Sequence, residues 1–396
     1  MATPEWQVLV VGAGPVGLLL GNLLGDHGIR TLVIDKRRSG PEASMAIGLT
    51  PPSLTLLNSV QLDRNFIAAG VRVDHAVVHG DRGQLGELSF RGLPSAYPFI
   101  LSIPQAVTVR LLQDRLGSWP TVALHRGKEL AGLRLHAGGA TATLHDLSSG
   151  RNEQVHCAFL IGCDGGDSRV REQAGIATTG GNYPQAFVMA DFTDRTGFAS
   201  EAHLFFTRDG SVESFPLPGG RRRWIIQSSQ LLRPPPPGLL VEAVRQRTGV
   251  DLNDGDCFFE SAFTVGHRLA QRFFYRRVAL CGDAAHLMSP VGGQGMNVGF
   301  GDAALLAVAL ASCLRHGVES EPLLDDYSRQ RRAVAQIAIG RAARGMWMGT
   351  RRGRLAGLWR EPVLRLLLSP PLCRQLPAYF AMLTLPGSRR LAGSPL

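Results

Sequence analysis

Residues 281–301, CGDAAHLMSPVGGQGMNVGFG, combine several groups suited to redox chemistry. An apolar strand leads into Gly282 and Asp283, and a carboxylate at a strand end can accept hydrogen bonds from the hydroxyls of a polyol or ribose. The glycines that follow let the backbone approach a flat ring closely. A helix that begins near Gly295 would point free N–H groups at developing negative charge. Together these features suit a redox ring that holds electron density, as a reduced flavin does.

The N-terminus carries a nucleotide-binding pattern. A short apolar, β-branched strand precedes the sequence GAGPVG, and an apolar helix and a second strand that ends on Asp35 follow it. This is the dinucleotide fingerprint in its strand, turn, helix and strand context. Gly12 allows the tight turn, Gly14 the approach of a pyrophosphate, and Gly17 the contact between helix and strand. We expect Asp35 to bind a ribose hydroxyl.

A third strand-and-turn pattern lies at residues 159–171, FLIGCDGGDSRVR. Its apolar strand ends in the turn Asp164-Gly165, and a basic helix start follows. The GAGPVG fingerprint occurs once in the chain, whereas an enzyme that binds flavin and nicotinamide in separate Rossmann domains needs two. The count therefore predicts one tightly bound nucleotide.

In this order and at this spacing, the three patterns resemble the class A (single-component) flavoprotein monooxygenases, the aromatic hydroxylases related to para-hydroxybenzoate hydroxylase. The resemblance covers residues 6–335. The N-terminal pattern is similar to the family's FAD fingerprint, Asp164-Gly165 to its motif shared by FAD and the nicotinamide, and Gly282-Asp283 to its ribityl-contacting motif. Residues 290–297 resemble the loop along the isoalloxazine, and Gln105 matches the helical Gln that reaches the flavin.

The resemblance implies FAD as the bound cofactor and NAD(P)H as a transient co-substrate. The residues expected at FAD are Gly12, Gly14, Val16, Gly17, Asp35, Lys36, Arg37, Gln105, Asp164, Gly165, Asp283, Pro290, Gly293, Gly295, Met296 and Asn297. One position departs from the family pattern: many relatives carry an Arg before the Ala-x-Gly step after the second strand, and Met45 stands there in this chain. Arg37 and Arg38 are the alternative source of positive charge.

The chemistry implied by the resemblance is reduction of FAD by NAD(P)H, capture of O2 as a flavin hydroperoxide, and hydroxylation or epoxidation of an apolar, aromatic or polyketide-like molecule. A dry, mainly apolar pocket is therefore expected. Its expected walls are Phe205, Phe215, Pro216 and Trp224, with Pro290 and Val291 on the flavin side. The catalytic candidates are Pro290 at the flavin and, as general bases for a phenol, His203 and Tyr97. His286 fits better as a structural member of residues 282–297, called the flavin loop below.

The predicted fold is α/β, with a Rossmann-like FAD-binding domain of the glutathione reductase type, an antiparallel-sheet substrate domain and a helical C-terminal tail. The predicted domains are residues 1–75, 100–180 and 265–335 for FAD, residues 76–99 and 181–264 for the substrate sheet, and residues 336–396 for the tail. Short strand-like segments separated by turns within residues 186–228 predict the antiparallel sheet.

The composition fits a large protein core, because 44% of the 396 residues are hydrophobic. The six cysteines show no CxxC spacing, which predicts free thiols and no metal site. No apolar run reaches the length of an integral membrane span. We expect a cytoplasmic protein, either a monomer or a homodimer.

Positive charge is concentrated near the C-terminus. The chain has a formal net charge of +10, and residues 340–396 contain ten Arg against one acid, Glu361. This basic tail is predicted to be a solvated face of helices packed beside the flavin domain. Two alternative roles for the basic tail are contact with an anionic membrane surface and contact with an acidic carrier protein. Nucleic-acid binding is not expected, because no recognised module is present.

Two other functions were compared with monooxygenation. A tryptophan-type flavin halogenase would carry a Trp-x-Trp-x-Ile-Pro element and a catalytic Lys past the fingerprint, and the chain has neither. A flavoprotein whose FAD is not turned over by a nicotinamide, such as a cyclase, or a binding module, stays open because of Met45. Anaerobic bleaching of the yellow protein by NADH or NADPH separates these functions.

Overall fold

The computed structural model describes residues 5–40, 46–290 and 293–388. The strands are β1 (Trp6–Val11), β2 (Thr31–Asp35), β3 (Gly48–Leu49), β4 (Val71–Val73), β5 (His75–Gly80), β6 (Gly83–Ser89), β7 (Ile100–Ser102), β8 (Val122–Arg126), β9 (Lys128–His136), β10 (Gly139–Asp146), β11 (Asn152–Gly162), β12 (Thr178–Thr193), β13 (Ala202–Thr207), β14 (Gly210–Leu217), β15 (Arg221–Ser228), β16 (Cys257–Ala270), β17 (Phe274–Tyr275), β18 (Val278–Leu280) and β19 (His286–Leu287). The α-helices are α1 (Pro15–Asp26), α2 (Pro51–Ser59), α3 (Asp63–Ala69), α4 (Gln105–Leu116), α5 (Arg169–Gln173), α6 (Leu239–Thr248), α7 (Gly295–His316), α8 (Ser320–Gly349), α9 (Arg354–Leu367) and α10 (Leu376–Phe380).

The first sheet brings the three sequence patterns together. Its strand order is β17-β18-β11-β1-β2-β8, and β1 pairs in parallel with β11 and β2. β18 pairs in parallel with β11, so the loops after β1, β11 and β18 leave the same edge of the sheet. Val8, Leu9 and Val10 are fully buried, as expected for a strand covered on both faces. The α/β class predicted from the sequence is confirmed.

The second sheet has the order β19-β16-β12-β15-β14-β13-β5-β6. Its pairs are antiparallel except for β13 with β5. The antiparallel sheet predicted within residues 186–228 is therefore observed as β12 to β15. One face of this sheet packs against α6, and the other face lines a cavity. Both faces are apolar, so the sequence pattern alone does not show which side chains face the cavity.

The C-terminal helices α9 and α10 pack against β6 of the second sheet and contribute to the wall of the cavity. The side chains that they contribute to its wall include Leu364, Leu367 and Leu368 near the end of α9 and Leu376 and Phe380 in α10. Leu355, Leu358 and Leu366 of α9 are exposed on the outer side. The tail is therefore packed, but α9 and α10 contact the second sheet, whereas the sequence predicted packing beside the flavin domain.

Two further observations bear on the class of protein. Of the helices in the described ranges, α7 is the one long and apolar enough to cross a membrane, and 72% of its most apolar window is buried inside the protein. The six cysteines are free, with Cys157 and Cys281 buried. Within residues 5–40, 46–290 and 293–388, no group of three or more His, Cys, Asp or Glu side chains could hold a metal.

Candidate active site

A cavity of about 930 Å³ extends from the edge of the first sheet to the face of the second sheet. Of the residues expected at FAD, those that line it are Gly12, Gly14, Val16, Asp35, Lys36, Arg37, Gln105, Asp164, Gly165, Asp283, Pro290, Gly293, Gly295 and Met296. The part of the cavity beside the loops after β1 and β2 is called the dinucleotide end below. The face formed by β5, β12, β13, β14 and β15 is called the sheet wall.

The glycines between β1 and the first turns of α1 have different structural roles. Gly12 has a φ of +112°, and a Cβ there would overlap the carbonyl group of Cys163. A Cβ on Gly17 would overlap the carbonyl oxygen of Gly12, so Gly17 permits the close packing of α1 on the loop. Gly14 lines the cavity, and a Cβ built there would meet no protein atom within 4 Å. The open space at Gly14, at the N-terminus of α1, fits a pyrophosphate.

Asp35 is held in place at the end of β2 and faces the dinucleotide end. Its carboxylate accepts hydrogen bonds from the Ala13 N–H at 2.8 Å and the Arg37 N–H at 2.8 Å. The Arg37 guanidinium donates two more, at 3.1 and 3.0 Å. Burial raises the pKa of Asp35, but the hydrogen bonds and charge of Arg37 and the Ala13 N–H outweigh it and lower that pKa. An ionised acceptor therefore stands where a ribose hydroxyl is expected.

The turn after β11 and the start of α4 contribute two more polar groups. The Asp164 carboxylate accepts hydrogen bonds from the Ser168 hydroxyl and the Val170 N–H, so it also orders the start of α5. Gly165 has a φ of +88°, and no protein atom lies within 4 Å of a Cβ built there. Gln105 accepts a hydrogen bond from the Ala46 N–H at 3.2 Å.

A buried ion cluster supports the loop that follows β18. The fully buried Asp302 of α7 accepts hydrogen bonds from His286 Nε2 and Arg331 Nε, both at 2.6 Å, and from the Gly282 N–H at 3.1 Å. Burial raises the pKa of Asp302, but the charges and hydrogen bonds of His286 and Arg331 outweigh it and lower that pKa. His286 lies in this cluster, in keeping with the structural place expected for it. Asp302 and Arg331 were not found from the sequence.

Asp283 and its neighbours form the cavity floor. Burial raises the pKa of the Asp283 carboxyl, the nearby Asp302 raises it further, and His286 opposes the shift. Asp283 lines the cavity together with Pro290, Gly293 and Gly295. This is the expected position for a group that accepts hydrogen bonds from a polyol chain.

Asn297 was expected at FAD, but the hydrogen bonds of its side chain are all made to the protein. Its Oδ1 accepts from the Thr50 N–H at 2.9 Å and from the Ser53 hydroxyl at 2.6 Å, and its Nδ2 donates to the carbonyls of Gly48 and Gly293. The amide is therefore saturated by the protein and joins the flavin loop to the segment around α2. Val291 and Met45 lie outside the described residues.

The three aromatic residues expected at the substrate lie on different faces of the second sheet. Phe215 lines the cavity. Phe205 and Trp224 point to the opposite face, where their rings stack at 6.4 Å beneath α6. Side chains alternate along a strand, so the residues next to them face the cavity. These neighbours are Leu204, Phe206 and Ile225. Pro216 is also outside the wall.

Neither of the two candidate general bases lines the cavity, so the structure does not support the role expected for them. His203 is buried on the α6 face, its Nδ1 lies 3.0 Å from His79 Nε2, and its ring stacks on Phe198 at 3.7 Å. Burial, assisted by the charges of His79 and Arg222, lowers the pKa of His203 to about 4. The Tyr97 hydroxyl donates to Asp63 at 2.8 Å, and burial together with Asp63 raises the pKa of Tyr97 to about 12.

Glu213 is an acidic group of the sheet wall that the sequence reading missed. It lies in β14 and lines the cavity. Burial raises the pKa of its carboxyl to about 7. A signal was present in the sequence of β14, GSVESFPL, where Glu213 and Phe215 share one strand face. That signal is readable only once the cavity face of the strand is known.

Comparisons with known proteins agree with this geometry. A family model described as FAD binding domain matches residues 5–342. The chain is 33% identical over 336 residues to 6-methylpretetramide 4-monooxygenase of Streptomyces rimosus, covering 82% of this chain and 59% of that protein. It is 32% identical over 340 residues to rifampicin monooxygenase of Streptomyces venezuelae, covering 83% of this chain and 69% of that protein.

A solved structure extends the agreement to the fold. The crystal structure of p-nitrophenol 4-monooxygenase from Pseudomonas putida superposes with a TM-score of 0.89 at 21% identity, covering 98% of this chain and all of that one. The chain thus spans between about three fifths and the whole of the relatives named here. The family match over most of the chain, with the glycine loop and cavity described above, shows that the chain belongs to the class A FAD-dependent monooxygenase family, whose cofactor is FAD.

Proposed function

We propose that this chain is an FAD-dependent monooxygenase that uses NAD(P)H and O2 to hydroxylate an apolar aromatic or polyketide-like small molecule. The observation that carries the proposal is the continuity of one cavity from the dinucleotide end to an apolar, aromatic sheet wall. Two relatives are named as monooxygenases of 6-methylpretetramide and rifampicin, which supports a large aromatic substrate.

The proposed division of labour follows the two sheets. The Rossmann-like part of glutathione reductase type, residues 1–75, 100–180 and 265–335, holds FAD, and residues 76–99 and 181–264 hold the substrate. The open space at Gly14 supports the placement of the pyrophosphate, and the acceptors Asp35 and Asp283 support that of the ribose and polyol hydroxyls. FAD bound here would accept two electrons from NAD(P)H and, once reduced, would activate O2.

The chain's own residues would orient the substrate and exclude water. Phe206, Phe215 and Phe263 offer aromatic surface on the second sheet, and the leucines at the end of α9 add to the apolar wall. An apolar enclosure protects a reactive oxygen species from proton leakage. The N-terminus of α7 offers free N–H groups beside the cavity, where they would stabilise negative charge on a reduced ring.

The alternative is a flavin that shapes a pocket without turnover, as in a cyclase. It is less supported, because the two curated relatives named above are monooxygenases. Met45 at a position where many relatives carry Arg is the feature behind this alternative.

The experiment is anaerobic mixing of the purified yellow protein with NADH or NADPH. We expect the flavin absorbance near 450 nm to bleach with one of the two, faster when an aromatic compound such as 2-naphthol is present. Gly14→Val is the matched control. The backbone of Gly14 is extended, a conformation that Val adopts, so the variant should fold. The Val side chain would fill the open space at Gly14, so the protein should be purified without flavin. A yellow parent protein that neither nicotinamide bleaches would contradict the proposal.

A further inference from the structure

One row of residues across the sheet wall contains a single acid among apolar side chains. The pairing of the strands aligns Val78 with Leu204, Leu204 with Glu213, Glu213 with Ile225, and Ile225 with Met189. All five residues line the cavity. Glu213 is the central member of the row, so its carboxyl has two apolar residues on each side along the sheet.

Glu213 lacks the kind of partner that two neighbouring acids have, Asp191 in β12 and Asp194 just after it. Asp191 pairs with Arg223 at 2.7 Å, and Asp194 pairs with Arg222 at 2.8 Å. Within the described residues, the Glu213 carboxyl has neither a hydrogen bond nor an ion pair. A buried polar group without a partner destabilises a protein, so its presence in a cavity indicates a binding or catalytic role.

Arg344 on α8 also lines the cavity, and the other ionisable groups that line it, including Asp283, lie on the first sheet or on the loops and helix starts at its edge. Burial is the only cause of the raised pKa of Glu213, so none of these groups is coupled to it. The carboxyl therefore changes charge near neutral pH in surroundings that are otherwise apolar.

We propose that Glu213 binds a hydroxyl group on the aromatic ring of the substrate and accepts its proton as the ring is oxidised. The substrate class is then a phenol whose remaining surface is apolar. In this step the phenol O–H bond breaks, the proton passes to a carboxylate oxygen of Glu213, and the electron pair stays on the phenol oxygen. That pair raises the electron density of the ring carbons ortho and para to the oxygen, which favours their attack by an electrophilic oxygen. The inference rests on the function proposed above.

The test uses the FAD-loaded full-length protein and two probes that differ by one hydroxyl, 2-naphthol and naphthalene. Binding is measured as the change of flavin absorbance on titration, between pH 5.5 and 8.5. We expect the parent protein to prefer 2-naphthol by about tenfold above pH 7, since a charged acceptor strengthens a buried hydrogen bond. This preference should weaken as the pH falls through 7 and Glu213 takes up its proton.

Three variants isolate the carboxylate. Glu213→Leu should bind naphthalene at least as well as the parent, lose the preference for 2-naphthol and melt at a higher temperature, because an unpaired acid has become apolar. Glu213→Gln should keep a smaller preference that no longer depends on pH. Glu87→Gln, an exposed position of β6 in the same sheet, should behave as the parent does.

The outcomes separate the two proposals. A parent protein that shows no preference for 2-naphthol, or a preference that survives in Glu213→Leu, would overturn the role of Glu213. A yellow parent protein that binds neither probe would overturn the apolar aromatic substrate class, and with it this inference. Loss of preference in Glu213→Leu with naphthalene binding retained supports both.

Discussion

The dinucleotide end and the sheet wall of the cavity are built in different ways. At the dinucleotide end, Asp35 is fixed by residues next to it in the chain or in the adjacent loop, namely Arg37 and Ala13. At the sheet wall, the environment of Glu213 comes from four other strands. The cofactor end therefore depends on local backbone geometry, and the substrate end depends on strand register.

This difference has a chemical consequence. The dinucleotide end presents an ionised carboxylate, Asp35, and open space at Gly14, which suit a fixed cofactor with many polar atoms. The sheet wall presents apolar side chains and one unsatisfied carboxyl, which suits a mostly apolar substrate with few polar atoms. Substrate specificity can change through single inward-facing positions while the cofactor end stays intact.

The largest expected effect concerns the buried cluster that supports the flavin loop. Arg331→Met leaves the Asp302 carboxylate with one cationic partner fewer, and should lower the free energy of unfolding by about 3–5 kcal/mol. Urea unfolding measures the change. Arg329→Met is the matched control on α8, because Arg329 is exposed and pairs with Asp326 on the surface. A loss of similar size in both variants would show that the cluster has no special role.

The next effect tests the face of the second sheet that points away from the cavity. The pKa of His203 is lowered from 6.5 to about 4, so the unfolded chain takes up this proton first as the pH falls. The stability contributed by neutral His203 is complete above pH 6.5 and declines toward pH 4, by up to about 1.4 kcal/mol per pH unit.

Denaturant unfolding at several pH values checks this slope. His203→Phe keeps a ring against Phe198 and should flatten it, whereas the exposed His316→Phe should keep the parent's slope. Unchanged slopes in His203→Phe would assign the acid sensitivity to other groups.

A smaller effect is expected for the affinity of FAD. Asp35→Ala removes a charged acceptor from the dinucleotide end and should weaken FAD binding by about 1.5–3 kcal/mol. Flavin fluorescence during titration of the apoprotein measures the affinity. The variant should leave the relative affinities for 2-naphthol and naphthalene unchanged, since Asp35 lies at the other end of the cavity. Parental FAD affinity would show that the assignment of this strand end is wrong.

The smallest effect concerns Phe215. Phe215→Leu should change the unfolding free energy by less than about 1.5 kcal/mol, because the residue borders a cavity and the substitution stays apolar. Its effect should appear instead in the affinity for naphthalene. The comparison variant Trp224→Leu should lower stability more and leave naphthalene binding nearly unchanged. The reverse pattern would mean that the two faces of the second sheet have been exchanged.

Most of the residues that the sequence predicted at FAD line the cavity. The turns of the dinucleotide end require glycine at fixed spacings, as at Gly12 and Gly17, and its acids follow strands that are recognisable by their apolar runs. The sheet wall could not be predicted in this way. Both faces of the second sheet are apolar, so alternation alone could not show that Phe205 faces α6 and Leu204 faces the cavity.

Long-range partners were the other limit of prediction. The Asp302–Arg331 pair joins two helices across 29 residues of sequence, and no local pattern marks it. Likewise, the hydrogen bonds of Asn297 to residues 247 and 244 positions away changed it from an expected cofactor ligand to a brace. Such pairings follow from packing that forms only in the folded chain.

The central claim is that one cavity holds FAD and an aromatic substrate next to each other. A crystal structure of the FAD-loaded protein with 2-naphthol tests it most directly. We predict the flavin ring beside Gly295 and Met296, and the naphthol against Phe215 with its hydroxyl within hydrogen-bonding distance of Glu213. A naphthol bound outside the sheet wall, or FAD bound away from the loop that begins at Gly12, would contradict the account.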